Sequence, residues 1–210
     1  MKLGLFIRLT LFAPLTLLTS LACSATVVTF DDLSAGASGS LITNGYRSLS
    51  WSNFWCENAI LFTSIHGSNG YLNGMVSPSN VAYNANGNSA EIDSRGTNFE
   101  FLGAYLTGAF NSNLSIEVRG FRGAAVLYDT TVIASATNAT LFTFDYLDID
   151  RLQFNAFGGQ DAGFPAGDGV GGTWFAMDNF TFEFIPEPSS LLLTVGGALL
   201  LWPLLKRRRA

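Results

Sequence analysis

The sequence predicts an all-β fold, a jelly-roll-like antiparallel β-sandwich with an apolar segment on either side of it. Three observations lead there. Apolar and polar residues alternate with period two along residues 26–185, and no stretch there keeps a helical period. Clusters of Gly, Asn and Ser separate the candidate strands. The same residues include sixteen Phe and nineteen Gly but only two Pro, Pro78 and Pro165. Each buried ring contributes about 1.5–3 kcal/mol, so the Phe content is sufficient for a core. Many short strands with one apolar face each call for two packed sheets. No repeat of the length used by propellers and solenoids is visible.

Residues 1–25 open with Lys2 and Arg8, continue with an apolar run from Leu9 to Leu21, and end on the small residues Ala22, Cys23, Ser24 and Ala25. This is the pattern of a secretory signal peptide. The run is shorter than the ~20 residues of a spanning helix. Cleavage after Ser24 or Ala25 leaves Cys56 as the one thiol, so no internal disulfide is expected.

The strand candidates follow in order. Val27–Phe30, Ser48–Trp51, Ala59–Phe62, Asn80–Tyr83, Ala90–Asp93 and Phe99–Leu106 are short β-rich runs. Leu114, Ile116 and Val118 alternate with Ser115, Glu117 and Arg119. Ala124–Tyr128 and Thr131–Ser135 flank Asp129-Thr130, which reads as a hairpin turn. Phe142, Phe144 and Tyr146 alternate with Thr143 and Asp145, Ile149–Phe157 forms a further run, and Phe180, Phe182 and Phe184 alternate with Thr181 and Glu183.

Residues 186–210 have a different composition. Pro186-Glu187-Pro188 precedes a Leu-rich run from Ser189 to Leu205, and Lys206, Arg207, Arg208 and Arg209 close the chain. The run is at the short end for a single transmembrane helix, and its basic flank places the preceding domain on the far side of the membrane. A plain C-terminal anchor also fits, but it needs no Pro-Glu-Pro. This tripartite tail resembles the PEP-CTERM sorting signal. The resemblance implies processing by the membrane enzyme exosortase near Pro186, Glu187 and Pro188, with Arg207, Arg208 and Arg209 as the terminal cluster. It also implies transient anchoring in the inner membrane, then residence at the cell surface or in the extracellular matrix. The stretches Thr29-Phe30-Asp31-Asp32-Leu33, Asn44-Gly45-Tyr46, Leu49–Phe54 and Phe175–Phe180 resemble a domain recurrent in such proteins, similar in outline to galactose-binding-like and carbohydrate-binding modules.

Composition narrows the function. Residues 26–185 hold five Arg and no Lys against fifteen Asp or Glu, a balance of −10. Such a domain is a poor ligand for phosphate backbones, which argues against nucleic acid. The single His, His66, has no Gly-x-Ser-x-Gly segment to serve, so no catalytic residue is assigned. Glu91 with Asp93 is the pair a small glycan hydrolase would draw on.

Two groups remain as candidate sites. By period-two counting Asp178 shares a face with Phe180 and Phe182, and a carboxylate there needs a compensating partner. With no Lys available, Ca²⁺ is the natural candidate, and the carbohydrate-binding modules that the domain resembles carry a structural calcium in this region. Asp31, Asp178 and Asp32 are the expected ligands. The alternative places Asp178 at a bulge or strand end, capped by backbone N–H groups. The second group is aromatic: Tyr46, Trp55 and Tyr71, with Asn53 beside them, fit an exopolysaccharide, whose C–H faces stack on rings and whose hydroxyls meet amides. Core packing is the alternative for the aromatics. The Gly-rich stretch Gly158–Gly172, with Asp161 and Asp168, reads as a solvated loop. The expectation is thus an exported, non-catalytic structural or interaction protein of the cell surface or matrix. A calcium-stabilised carbohydrate-binding module is the alternative, and a small glycan hydrolase the more remote one.

Overall fold

The computed structural model describes residues 24–165 and 172–186, so the signal peptide, the tail after Pro186 and Asp168 lie outside the described residues. The described chain is an all-β sandwich. In order its elements are β1 (Thr26–Val28), β2 (Ser40–Leu41), β3 (Ser50–Ser52), β4 (Phe54–Asn58), α1 (Ala59–His66), α2 (Gly70–Gly74), β5 (Asn80–Asn84), β6 (Ala90–Asp93), β7 (Phe99–Gly108), β8 (Asn111–Ser112), β9 (Leu114–Arg122), β10 (Ala125–Ala134), β11 (Thr140–Ile149), β12 (Arg151–Phe157), β13 (Gln160–Asp161) and β14 (Phe175–Phe184). Short 3₁₀ turns cover Tyr46–Ser48 and Ala85–Gly87.

One sheet has seven strands in the order β11-β7-β14-β5-β4-β2, with β1 also on β14; a second has five, β10-β9-β12-β6-β3; and β13 pairs with β8 in a short third. Every pairing is antiparallel. The chain crosses between the sheets repeatedly, which is why the core draws on residues far apart in sequence. Phe30, Phe54, Phe99, Phe101, Phe154, Phe175, Phe180 and Phe182 are fully buried between the sheets. Their rings meet mostly edge to face, as Phe54 does with Phe154 at 5.6 Å and 82°, the arrangement that the ring quadrupole favours. Trp51 is also core, and its indole N–H donates to the Tyr46 carbonyl at 3.0 Å.

Three expectations are corrected. Ala59–Phe62 is not a strand but the first half of α1, and a helical pair covers the outer face of the seven-stranded sheet. Asn58 caps α1, its Oδ1 accepting from the Leu61 N–H at 3.0 Å, and Asn69 caps α2 in the same way through the Leu72 N–H. Asp129-Thr130 makes no turn: both lie inside β10, paired with Arg119 and Val118, and the hairpin closes at Gly123, where φ is 57°. Finally, Asp178 does not share the face of Phe180 and Phe182. The ladder of β14 shifts between Asp178 and Thr181, and Asn179 has a φ of 48°. This bulge displaces the alternation by one residue, so Met177 and Phe180 both reach the core while Asp178 turns to the outer face.

Candidate functional site

A shallow, open depression on the outer face of the seven-stranded sheet is lined by Trp55, Tyr83, Ala85, Asn86 and Trp174. Alternation along β4 buries Phe54 and Cys56 between the sheets and sends Trp55 and Glu57 outward. Trp55 and Tyr83 face each other across the β4–β5 ladder, and Tyr83 faces Ala176 of β14 on its other side. Trp174 stands just before β14, its ring edge-on to Phe110 at 5.7 Å.

Amide side chains fix this surface. The Asn53 Nδ2 donates to the carbonyls of Ala85, Asn88 and Ser89 at 3.1, 3.3 and 3.0 Å, which holds the turn that carries Asn86. Asn84 is fully buried; its Nδ2 donates to Asn88 and Thr173 carbonyls, and its Oδ1 accepts from the Phe175 N–H at 2.7 Å. The Thr173 hydroxyl donates to the Gly87 carbonyl at 2.9 Å. The two sides of the depression are therefore bonded to each other, and the backbone that carries Asn86 and Trp174 is held before any ligand arrives.

Of the predicted ligand residues, Trp55 lies in the depression and Asn53 supports it from below. Tyr71 does not belong there. It is 3% exposed, packed between Phe62, Tyr83 and Phe110 in a second apolar cluster under α1 and α2. Tyr46 is also elsewhere: it packs on Phe30 and Trp51, and its hydroxyl donates to Asp32 at 2.6 Å. Tyr83, Asn86 and Trp174 were missed. Tyr83 sits in a predicted strand, but its pairing with Trp55 emerges only in the folded sheet.

The predicted metal ligands all accept hydrogen bonds from the protein itself. Asp178 is fully buried, and both its oxygens are filled: Oδ2 accepts from the Val76 and Ser77 N–H groups at 2.7 and 2.8 Å, and Oδ1 from the Ser77 hydroxyl and the Asn179 N–H at 3.0 and 2.7 Å. Burial pushes its carboxyl up, and the donors of Ser77, Val76 and Asn179 pull it back part of the way. Asp31 accepts from the Asn80 N–H at 3.0 Å, and Asp32 binds Tyr46 and Arg47. Among the described residues there is no group of three or more His, Cys, Asp or Glu placed to hold a metal ion. Asp178 ties the residues between α2 and β5 to the bulge of β14, and Asp31 ties the start of β5 to the residues after β1. The first and last strands are neighbours, β1 on β14.

A carboxyl in the opposite condition lies beside Trp55. Glu57 is 3% exposed, and its Oε1 has no hydrogen-bond partner. Burial pushes its carboxyl up to about 8. The Cys56 thiol, on the core face, is pushed up to about 12 by burial first and Glu57 second. His66 is exposed at the end of α1, 4.5 Å from the Phe62 ring. Glu91 is engaged by Arg151 and Gln153 at 3.1 and 2.8 Å, and Asp93 accepts from the Arg95 N–H. Among the described residues no helix is long and apolar enough to cross a membrane.

No protein-family model matches the chain, and no curated protein matches it. Among solved structures it is similar to the carbohydrate-binding module TmCBM61, determined in complex with β-1,4-galactotriose, at 11% identity and a TM-score of 0.34 over 71% of this chain and 99% of that one. A likeness at that level says nothing about what this chain binds.

Proposed function

We propose that the chain is a non-catalytic recognition module that works outside the cell and binds a neutral polysaccharide at the Trp55–Trp174 depression. One observation carries this reading: two tryptophans and a tyrosine border an open surface whose supports are already hydrogen-bonded. Rings of this kind offer apolar faces for sugar C–H groups. The indole N–H groups, the Tyr83 hydroxyl and the Asn86 amide would orient the hydroxyls. A carboxylated or sulfated glycan is disfavoured. Four of the five arginines of residues 26–185 are ion-paired with the protein's own carboxylates, Arg95 donates to Ser50, and none lines the depression.

Isothermal titration against neutral and acidic extracellular polysaccharides tests this. The neutral class should bind with a Kd below about 1 mM, and Trp55→Ala or Trp174→Ala should each weaken it at least about tenfold, equivalent to ~1.4 kcal/mol. Millimolar or weaker binding to every polymer, or variants that bind as well as the parent, would refute the reading. A surface or matrix component without glycan affinity would then be the better description.

Export and sorting belong to the same proposal and are supported by the ends of the sequence. The basic and apolar start, Pro186-Glu187-Pro188 and the Arg207–Arg209 cluster fit a secreted precursor handed to exosortase at the inner membrane and left at the cell surface or in the matrix. Truncation after Ile185 should move the protein out of the membrane and wall fractions while its thermal unfolding stays the same. Retention equal to that of the full chain would contradict a sorting role for the tail.

A further inference from the structure

We propose that the chain forms a two-fold symmetric dimer by antiparallel pairing of β10 with β10 of a second copy, centred on Thr130. This inference is independent of the glycan reading. β10 is the outer strand of the five-stranded sheet. Among the described residues its backbone groups bond β9 on one side and nothing on the other. A long open edge of this kind is a template for another strand, and proteins that must stay monomeric blunt it. The remaining edges are blunted. β1, β2 and β3 have two or three residues each, and β11 is broken by two register shifts beside Asp145 and Asp148, both at positive φ. β10, by contrast, keeps unbroken register with β9 from Tyr128 to Ala134. It contains no Lys, Arg or Pro, and its one charge, Asp129, is already held by Arg119 at 3.0 Å.

The strand is also complementary to itself. A two-fold axis perpendicular to the sheet keeps each side chain on its own face, so the pairing must be centred on a residue. Centring on Asp129 sets two carboxylates opposite each other, which is destabilising. Centring on Thr131 sets Asp129 against Ile133. Centring on Thr130 sets Asp129 against Thr131 and Tyr128 against Val132; beyond the bulge between Val126 and Tyr128, it carries the exposed Val126 and Leu127 toward the exposed Ile133 of the second copy. Val126, Leu127 and Ile133 are 51%, 46% and 55% exposed in the single chain, so the pairing covers apolar surface as well as satisfying the edge. The two five-stranded sheets become one.

The full chain in mild detergent tests this. With Cys23→Ser to remove the second thiol, Thr130→Cys should give a reducible dimer with a short homobifunctional thiol reagent, because the axis brings both copies of position 130 together. Thr143→Cys on β11 should stay monomeric under the same conditions. In sedimentation equilibrium the parent should run at twice the chain mass, and Ile133→Lys should raise the dimer Kd at least about tenfold. A monomer at all concentrations up to about 1 mM, or cross-linking at position 143 as fast as at 130, would overturn the proposal.

Discussion

Replacing Asp178 with Ala should destabilise the fold by about 3–5 kcal/mol, one of the largest effects available in this molecule. The carboxylate offers four acceptor sites, and the structure fills all four from Val76, Ser77 and Asn179. Alanine strips partners from three backbone N–H groups, and each donor left unpaired away from solvent costs about 1–3 kcal/mol. Urea unfolding should show a lower midpoint at an unchanged slope. Asp178→Asn should fall between, because the amide retains one acceptor and turns its N–H₂ toward donors that it cannot satisfy. The same argument predicts that a chelator leaves the melting temperature of the parent unchanged, since the lone pairs that calcium would use already accept hydrogen bonds. A melting temperature that falls with chelator and recovers with Ca²⁺ would instead support calcium at these carboxylates.

That outcome turns on one residue that alternation cannot reveal. Period two is a sound guide to where most of the strands lie. Ala90–Asp93 was read with its observed bounds, and the alternations of Leu114–Arg119, Phe142–Tyr146 and Phe180–Phe184 all lie within strands. It failed at Asn179, where one residue at positive φ shifts the frame and moves a carboxylate from the core face to the outer one. It failed again at Ala59–Phe62, an apolar run too short to show a period. There Asn58 decided the outcome by capping a helix, and the Asn was legible as a cap only with the following turn in view. The false turn at Asp129-Thr130 has a similar cause: two polar residues between β-rich runs resemble a hairpin, yet Gly123 supplies the φ that a tight turn needs. Only part of the aromatic surface could be read. Trp55 stands out in its own segment, but Tyr83 and Trp174 join it only through strand pairings between distant parts of the chain.

Stability should fall with rising pH because of Glu57, and Glu57→Gln should abolish the fall. In the unfolded chain this carboxyl titrates near 4.5, and in the folded protein burial raises it to about 8. The folded state therefore binds one more proton than the unfolded state between those values, and the sign follows: stability decreases as pH rises, by about 1.4 kcal/mol per pH unit. The contribution is fully present below about 4.5 and lost by the time pH has passed about 8, a total of about 5 kcal/mol. Its neighbours cannot offset this. Tyr71 from α2 and Tyr83 from β5 are themselves raised, by burial first and Glu57 next, and among the described residues no cation reaches the Glu57 carboxyl. Thermal unfolding from pH 5 to 9 should show a steadily declining melting temperature in the parent and a much flatter profile in Glu57→Gln, with the variant the more stable at pH 9. Parallel profiles would mean that the carboxyl finds a partner in solution. Because Glu57 lies two residues from Trp55 on the same face, its ionisation should first loosen α1 and α2 over the second apolar cluster, and hydrogen exchange at Tyr71 and Leu72 would report it.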